Sequence, residues 1–132
     1  MSTEENLKAA FAGESQANRK YLAYAAKADE EGYPGVAKLF RAAAEAETIH
    51  ALTHLKVMGV VKSTAENLQD AIKGETFEFT EMYPGFISEA EAADNAAAKR
   101  TFHLANEAEK AHADYYSQSL KDLDQKADAD YY

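Results

Sequence analysis

The sequence predicts an all-α fold, a bundle of four long helices within one domain that spans residues 1–132. Three observations support this prediction. First, Ala, Glu, Lys and Leu, which are strong helix formers, dominate the 132 residues, and there are 6 Gly and 2 Pro. Second, no run of Val, Ile and Thr alternates with a period of two, so no β-sheet is expected. Third, turn and capping residues divide the chain into four helix-length segments.

Helices A and B make up the first half of the chain. Helix A is predicted over residues 3–31, because Gly32 and the turn Tyr33-Pro34-Gly35 stop it. Helix B is predicted over residues 34–58 and ends where Gly59 follows.

Helices C and D make up the second half. Helix C is predicted over residues 64–92, starting after the capping residue Ser63, and Pro84 is expected to kink it because proline removes a helix hydrogen bond. Helix D is predicted over residues 94–126, with Asp94 as its cap.

Charge and composition exclude several function classes. The net charge of −9 disfavours binding to nucleic acid and to anionic membranes. No apolar stretch approaches the ~20 residues of a membrane span. The absence of cysteine excludes disulfides, thiolate catalysis and iron–sulfur clusters. The N-terminal residues lack the basic and apolar regions of a signal peptide, so a cytoplasmic protein is expected.

The two halves of the chain repeat each other. Glu5-Asn6-Leu7 in the first half recurs as Glu66-Asn67-Leu68 in the second. The same offset relates Gly13-Glu14-Ser15 to Gly74-Glu75-Thr76. Helix A therefore corresponds to C, and B corresponds to D.

A Glu-x-x-His motif lies in the middle of helix B and again in helix D. The pairs are Glu47 with His50 and Glu109 with His112, at equivalent positions of the repeat. Residues three apart on a helix face the same way, so each pair can bind a metal ion. A single pair is ordinary on a solvated helix face, but two copies in register favour a metal site.

The repeat adds further carboxylates at the level of these motifs. Glu14 and Glu75 lie in the middle of helices A and C, and Glu78 follows Glu75 by one turn. Two Glu-x-x-His helices and two Glu helices are the pattern of a dimetal site in a four-helix bundle. Five buried carboxylates without cations would destabilise the fold, whereas two divalent ions nearly neutralise them. Glu and His ligands suit iron, manganese or zinc.

Two tyrosines and one histidine are weaker candidates. Tyr21 follows Glu14 by seven residues and Tyr83 follows Glu75 by eight, so either phenol can donate a hydrogen bond near the site. Core packing is the alternative for both tyrosines. His54 lies four residues after His50 and can face the same way, but it has no counterpart in the second half, where Tyr116 stands, which favours a surface or helix-packing role.

Together these residues resemble the rubrerythrin family, and the similarity covers essentially the whole chain. The resemblance implies a ferritin-like fold and a diiron peroxidase that reduces hydrogen peroxide to water in protection against oxidative stress. The matching residues are Phe11-Ala12-Gly13-Glu14-Ser15-Gln16-Ala17, Glu47 with His50, Gly74-Glu75 with Glu78, Thr80-Glu81-Met82-Tyr83-Pro84, and Glu109 with His112.

The resemblance also implies roles for the metal ligands. Glu47 and Glu109 bridge the two iron ions. Glu14 binds the first iron, and Glu75 and His112 bind the second. The two ions are joined by an oxo or hydroxo group when oxidised. Because affinity alone does not select iron, zinc and manganese stay open as the metal in the isolated protein.

Four residues are implied in catalysis. Glu78 binds the first iron when the site is oxidised, and His50 replaces it when the site is reduced. Glu78 has no partner in the repeat, because Ala17 occupies that position. Tyr21 and Tyr83 resemble the tyrosines that lie beside the ligands in this family.

The expected partners are hydrogen peroxide and an electron donor. Typical members carry a C-terminal rubredoxin domain with four cysteines, and this sequence contains no cysteine. The donor is therefore expected to be external, such as rubredoxin or a reductase, or missing. Both a natural short form and a truncated chain fit the sequence. A ferroxidase or iron-handling protein and a non-catalytic metal-binding bundle are the alternative functions.

The connection between helices B and C limits how one chain can fold. In a ferritin-like bundle these helices run in the same direction, so the connection must return along the bundle. With His50 about 8 residues before the end of B and Glu75 about 10 after the start of C, the return path is roughly 27 Å or more. The connection Gly59–Ser63 reaches at most ~18 Å. We therefore expect a domain-swapped homodimer, in which hairpin A–B packs against C–D of the other chain.

Overall fold

The structure is a computed structural model that describes residues 2–123, which fold into helices joined by short connections. The all-α prediction is confirmed, and no strand occurs among these residues. The last three residues predicted for helix D, 124–126, lie outside the described part. In chain order the elements are α1 (Thr3–Glu30), α2 (Pro34–Met58), α3 (Thr64–Phe77), a π-helical segment (Glu78–Met82, the π segment), α4 (Tyr83–Ala92) and α5 (Ala96–Asp122).

The chain divides into two compact units, Met1–Val61 and Lys62–Tyr132. The first unit is a hairpin of α1 and α2. In the second unit α3, the π segment and α4 form one arm, and all three contact α5. These two units, hairpin one and hairpin two, correspond to the two halves of the sequence repeat.

Alanines form the buried part of hairpin one. Ala25 and Ala28 of α1 pack with Ala37 of α2, and Phe40 covers this cluster. Small side chains allow two helix backbones to approach closely, so these helices meet along a narrow alanine seam. In both hairpins the buried apolar residues of the described chain are alanines, and no large side chain among them is fully buried.

The turns of the two hairpins have the same geometry. Gly32 has φ +84° in hairpin one, and Asp94, at the equivalent position of hairpin two, has φ +55°. The prediction that Asp94 caps helix D is wrong. Asn95 is the cap, and its Oδ1 accepts a hydrogen bond from the N–H of Ala98 at 3.0 Å. Asp94 lies one position before the cap, where this turn requires a residue with positive φ.

The π segment lies shortly before Pro84, where the sequence predicts a kink. Proline lacks the N–H that would continue the α-helical pattern. Just before it, the N–H of Tyr83 donates to the carbonyl of Glu78, five residues back. A π segment places one extra residue in a turn. This extra residue explains why Tyr83 follows Glu75 by eight positions, whereas Tyr21 follows Glu14 by seven.

Each hairpin contains a cluster of three aromatic rings at equivalent positions. In hairpin one, the Phe40 ring centroid lies 5.9 Å from Tyr21 and 5.4 Å from Tyr24. In hairpin two, Phe102 lies 6.1 Å from Tyr83 and 5.4 Å from Phe86. A single sequence offset relates all three pairs of equivalent rings, so the π segment keeps this part of the repeat in register.

The connection between the hairpins, residues 59–63, has defined local structure. Gly59 ends α2 with φ +71°, and Ser63 Oγ accepts from the N–H of Glu66 at 3.2 Å. The side chain of Asn67 forms two hydrogen bonds with the backbone of Lys62. Asn67 Oδ1 accepts from the Lys62 N–H at 2.8 Å, and Asn67 Nδ2 donates to the Lys62 carbonyl at 3.1 Å. Both helix ends that bound this connection agree with the sequence prediction.

Candidate metal centre

Hairpin one brings three predicted ligands together. Glu14 projects from α1, and Glu47 and His50 project from α2. One ligand atom from each of these residues lies within 4.8 Å of the other two. His50 Nδ1 is 3.3 Å from Glu14 Oε1. Two carboxylates and an imidazole at this separation form a suitable site for a divalent cation.

Hairpin two repeats this arrangement with Glu75 of α3 and with Glu109 and His112 of α5. Their ligand atoms also lie within 4.8 Å of one another. His112 Nδ1 is 3.6 Å from Glu75 Oε1. Six of the seven predicted metal ligands therefore fall into two matching clusters, one in each hairpin.

A hydrogen-bonded side chain fixes the two helices of hairpin one close to its cluster. Asn18, one turn after Glu14, donates from Nδ2 to the carbonyl of Ala44 at 2.8 Å and to Thr48 Oγ1 at 2.6 Å. Thr48 is adjacent to Glu47 in the sequence. Asn18 thus joins α1 to α2 at the level of the ligands and sets the position of Glu14 relative to the Glu-x-x-His motif.

Two buried oxygens support cation binding. Glu14 Oε2 and Glu75 Oε2 are buried and accept no hydrogen bond within the described residues. Asn106 Oδ1 is the third buried side-chain atom of this kind. A buried carboxylate oxygen that accepts no hydrogen bond is costly, and a coordinated cation removes that cost. Glu14 and Glu75 both belong to the matched clusters, so their carboxylates fit a metal ion.

Glu78 and the two tyrosines take different positions. Glu78 begins the π segment and is half-buried, but it does not belong to the Glu75 cluster. Tyr21 and Tyr83 are half-buried members of the aromatic clusters. These ring contacts agree with core packing, which is the alternative role considered for both tyrosines.

His54 of α2 contacts Glu14 of α1, which agrees with the helix-packing role predicted for it. Its Nε2 lies 2.6 Å from Glu14 Oε2, and its side chain is 29% exposed. The relevant signal was its position four residues after His50, which places both imidazoles on one face of α2. The lack of a histidine at the equivalent position, Tyr116, argued against a role near the site. The contact with α1 is visible only in the folded hairpin.

A comparison with known families decides the identity of this fold. A family model described as rubrerythrin matches residues 5–120, which include all the clustered ligands. The chain belongs to the rubrerythrin family. Its helical segments and lack of described strands match a ferritin-like helical bundle, as predicted.

Individual rubrerythrin relatives cover most of the chain. It is 41% identical over 137 residues to nigerythrin from Nitratidesulfovibrio vulgaris, covering 93% of this chain and 68% of that protein. It is 39% identical over 125 residues to rubrerythrin-2 from Clostridium acetobutylicum, covering 84% and 68% respectively. A solved structure of fully reduced, all-ferrous nigerythrin is 37% identical, with a TM-score of 0.51 over 97% of this chain and 70% of the other.

Membership in the rubrerythrin family implies a diiron protein of oxidative-stress defence, related to diiron oxidoreductases. The two Glu–Glu–His clusters supply the carboxylate and imidazole groups that such a centre requires. Among residues 2–123, no helix is both long and apolar enough to cross a membrane.

Proposed function

We propose that this rubrerythrin is a diiron peroxidase, which reduces hydrogen peroxide to water with electrons from an external donor. The paired Glu–Glu–His clusters, each with one buried carboxylate oxygen that accepts no hydrogen bond within the described residues, are the observation that supports this function. Reduction of one H₂O₂ to two H₂O consumes two electrons and two protons. A cytoplasmic location and rubredoxin or a reductase as donor are part of this proposal.

The residues that would hold two iron ions are the clustered ligands and Glu78. If bound there, two ferrous ions would supply the two electrons that peroxide reduction requires. The protein side chains hold the ions and balance their charge, because five carboxylates offset most of the charge of two divalent cations. The proposed ligands are Glu14, Glu47, His50, Glu75, Glu78, Glu109 and His112.

The packing of His50 supports its exchange with Glu78. The His50 side chain is 55% exposed, whereas His112 is 37% exposed. Rotation of His50 therefore breaks fewer contacts than rotation of His112 would. A neutral imidazole suits Fe(II), and an additional carboxylate offsets the higher charge of Fe(III). Glu78 is the carboxylate available for this purpose, since it lies one turn after Glu75 at the start of the π segment.

Tyr21 and Tyr83 are proposed to donate hydrogen bonds to ligand carboxylates and so to orient them. Each ring is held by neighbouring aromatic residues, so the direction of its hydroxyl is restricted. A phenol O–H in this position can donate a hydrogen bond to a ligand carboxylate.

The two hairpins are also proposed to pair between chains, forming a domain-swapped homodimer. Residues 59–63 connect α2 and α3, and this connection is shorter than the return path along a ferritin-like bundle. Each hairpin holds only part of the proposed ligand set, so a partner hairpin is required to complete the site.

Exposed apolar residues support this pairing. In hairpin one Leu39, Leu52 and Ile49 are at least 60% exposed, and Leu104 in hairpin two is 65% exposed. A two-helix hairpin of this kind cannot bury its apolar side chains by itself, so another hairpin must cover them. Hairpin two of a second copy is the occupant that the short connection allows.

Anaerobic oxidation of the iron-loaded protein tests the peroxidase function. Ferrous protein mixed with one equivalent of H₂O₂ per two irons should become fully ferric within seconds, as followed by absorbance. The same protein mixed with O₂ should react much more slowly. Equal or faster oxidation by O₂ would favour the ferroxidase alternative, and failure to bind iron would exclude both enzymes.

The matched control for this experiment is Glu78→Ala, which gives hairpin two the residue that hairpin one has at Ala17. This variant should retain iron but react with peroxide at least tenfold more slowly. Unchanged peroxide reactivity would contradict the role assigned to Glu78.

A further inference from the structure

We propose that His54 is a positioning residue for the Glu14 carboxylate and that it strengthens metal binding in hairpin one. The proposal rests on the proposed function only in requiring that Glu14 binds a metal ion. It concerns a residue outside the Glu-x-x-His motif and outside the cluster formed by Glu14, Glu47 and His50.

The Glu14 carboxylate lies between two imidazoles from successive turns of α2. His50 Nδ1 is 3.3 Å from Oε1, and His54 Nε2 is 2.6 Å from Oε2. The two histidines therefore approach different oxygens of the same carboxylate. His54 is also the less exposed of the two, at 29% against 55%, so its ring is better held by its surroundings.

Because the two histidines contact different oxygens of Glu14, they can have different roles. His50 lies on Oε1, whereas His54 lies on the opposite oxygen. His54 Nε2 lies within hydrogen-bonding distance of Oε2, at 2.6 Å, although Oε2 accepts no hydrogen bond among the described residues. At this distance, an Nε2–H aligned with Oε2 would donate a hydrogen bond to it. Hydrogen bonds of this kind orient metal-binding carboxylates and raise metal affinity.

Hairpin two lacks this support. Tyr116 occupies the position equivalent to His54, and its ring centroid lies 6.3 Å from that of His112. Glu75 Oε2 is likewise buried without a hydrogen bond in the described chain, and the contact of Glu75 with His112 is made through Oε1, as is that of Glu14 with His50. We therefore expect the Glu14 and Glu75 sites to differ in affinity, with the Glu14 site the stronger of the two.

Binding of Co²⁺ to the metal-free protein, measured by calorimetry and by the visible spectrum, tests this proposal without peroxide turnover. Wild type should bind two ions per four-helix unit in two distinguishable steps. His54→Leu, which keeps an apolar side chain of similar size, should weaken one step by about 10–100-fold and leave the other unchanged. His54→Gln, which retains an N–H donor near the position of Nε2, should remain within about threefold of wild type.

Tyr116→Phe is the matched control at the equivalent position in hairpin two, and it should leave the step affected by His54→Leu unchanged. Circular dichroism melts of the metal-free variants should match wild type. If Leu and Gln both weaken binding equally, His54 is a direct ligand and the proposal is wrong. If neither variant changes binding, His54 only packs, and the proposal is again wrong. Failure of wild type to bind Co²⁺ would overturn both this proposal and the diiron function, which distinguishes that outcome from the other two.

Discussion

Glu14 and Glu75 occupy equivalent positions in the two hairpins, and each buries one carboxylate oxygen that accepts no hydrogen bond within the described residues. The equivalence is maintained although the helices around them differ, since α1 is continuous and α3 leads into the π segment. Both hairpins therefore contain an energetically unfavourable carboxylate oxygen at equivalent positions. Such a feature is expected where a cation completes the structure, because an unpaired buried carboxylate otherwise destabilises the fold.

Metal binding should stabilise the protein. A ligand that binds only the folded state raises the free energy of unfolding by about 2.7 kcal/mol when its free concentration is about 100 times the dissociation constant. Thermal melts with and without a chelator, at fixed protein concentration, should show a higher melting temperature for the loaded form. Glu14→Gln combined with Glu75→Gln should abolish this difference, whereas His103→Asn, at an exposed position of α5, should retain it. Equal melting temperatures for chelated and loaded wild type would contradict the prediction.

Asn18→Ala should destabilise hairpin one by about 1 kcal/mol, because the bonds from Asn18 to the Ala44 carbonyl and to Thr48 are lost. Asn18→Asp should cost more, since a carboxylate oxygen would then face the Ala44 carbonyl. Urea unfolding at fixed protein concentration measures both changes. An Asp variant as stable as wild type would show that Asn18 does not hold the two helices together.

Deletion of Glu81 should convert the π segment into α-helix. The spacing from Glu75 to Tyr83 would become seven residues, as between Glu14 and Tyr21 in hairpin one. We expect a folded protein with melting temperature close to wild type, because the aromatic clusters remain in register, but peroxide reactivity reduced at least tenfold.

Deletion of Lys20 is the control for this experiment. This deletion shortens the spacing from Glu14 to Tyr21, which is already that of a regular α-helix. It should therefore rotate the Tyr21 cluster by about 100° relative to Glu14 and unfold hairpin one. Circular dichroism and peroxide oxidation distinguish these results. If deletion of Glu81 unfolds the protein as well, the extra residue is structurally required and does not serve the site.

Asp94→Gly should stabilise the protein by about 1 kcal/mol, because Asp94 has positive φ and glycine adopts that conformation without steric cost. The reciprocal change, Gly32→Ala at the equivalent turn of hairpin one, should destabilise by a similar amount. Denaturant midpoints measure both. Stabilisation by both substitutions would show that the two turns are not equivalent.

Lengthening the connection should change the oligomeric state. An insertion of about ten Gly and Ser residues between Val61 and Lys62 would let the connection return along one bundle, since each added residue extends it by up to ~3.5 Å. Light scattering should show a dimer for wild type and a monomer for the insertion variant, with unchanged metal content per chain. A monomeric wild type would exclude domain swapping.

Local spacing along the chain was sufficient to predict the helical fold, the repeat and the six residues that form the two clusters. Residues three apart share a helix face whatever the helix packs against, so Glu47 with His50 and Glu109 with His112 were predictable. The cap at Ser63 was also local, because a serine hydroxyl reaches the N–H groups of the following turn.

Other features became visible only once two helices were placed together. The contact of His54 with Glu14 depends on the rotation of α2 against α1, which the alanine seam and Asn18 set. The π segment before Pro84 was likewise not predicted, since the sequence shows an extra residue but not how a helix accommodates it. Spacing along one helix fixes which side chains share a face, whereas packing between helices fixes which faces meet.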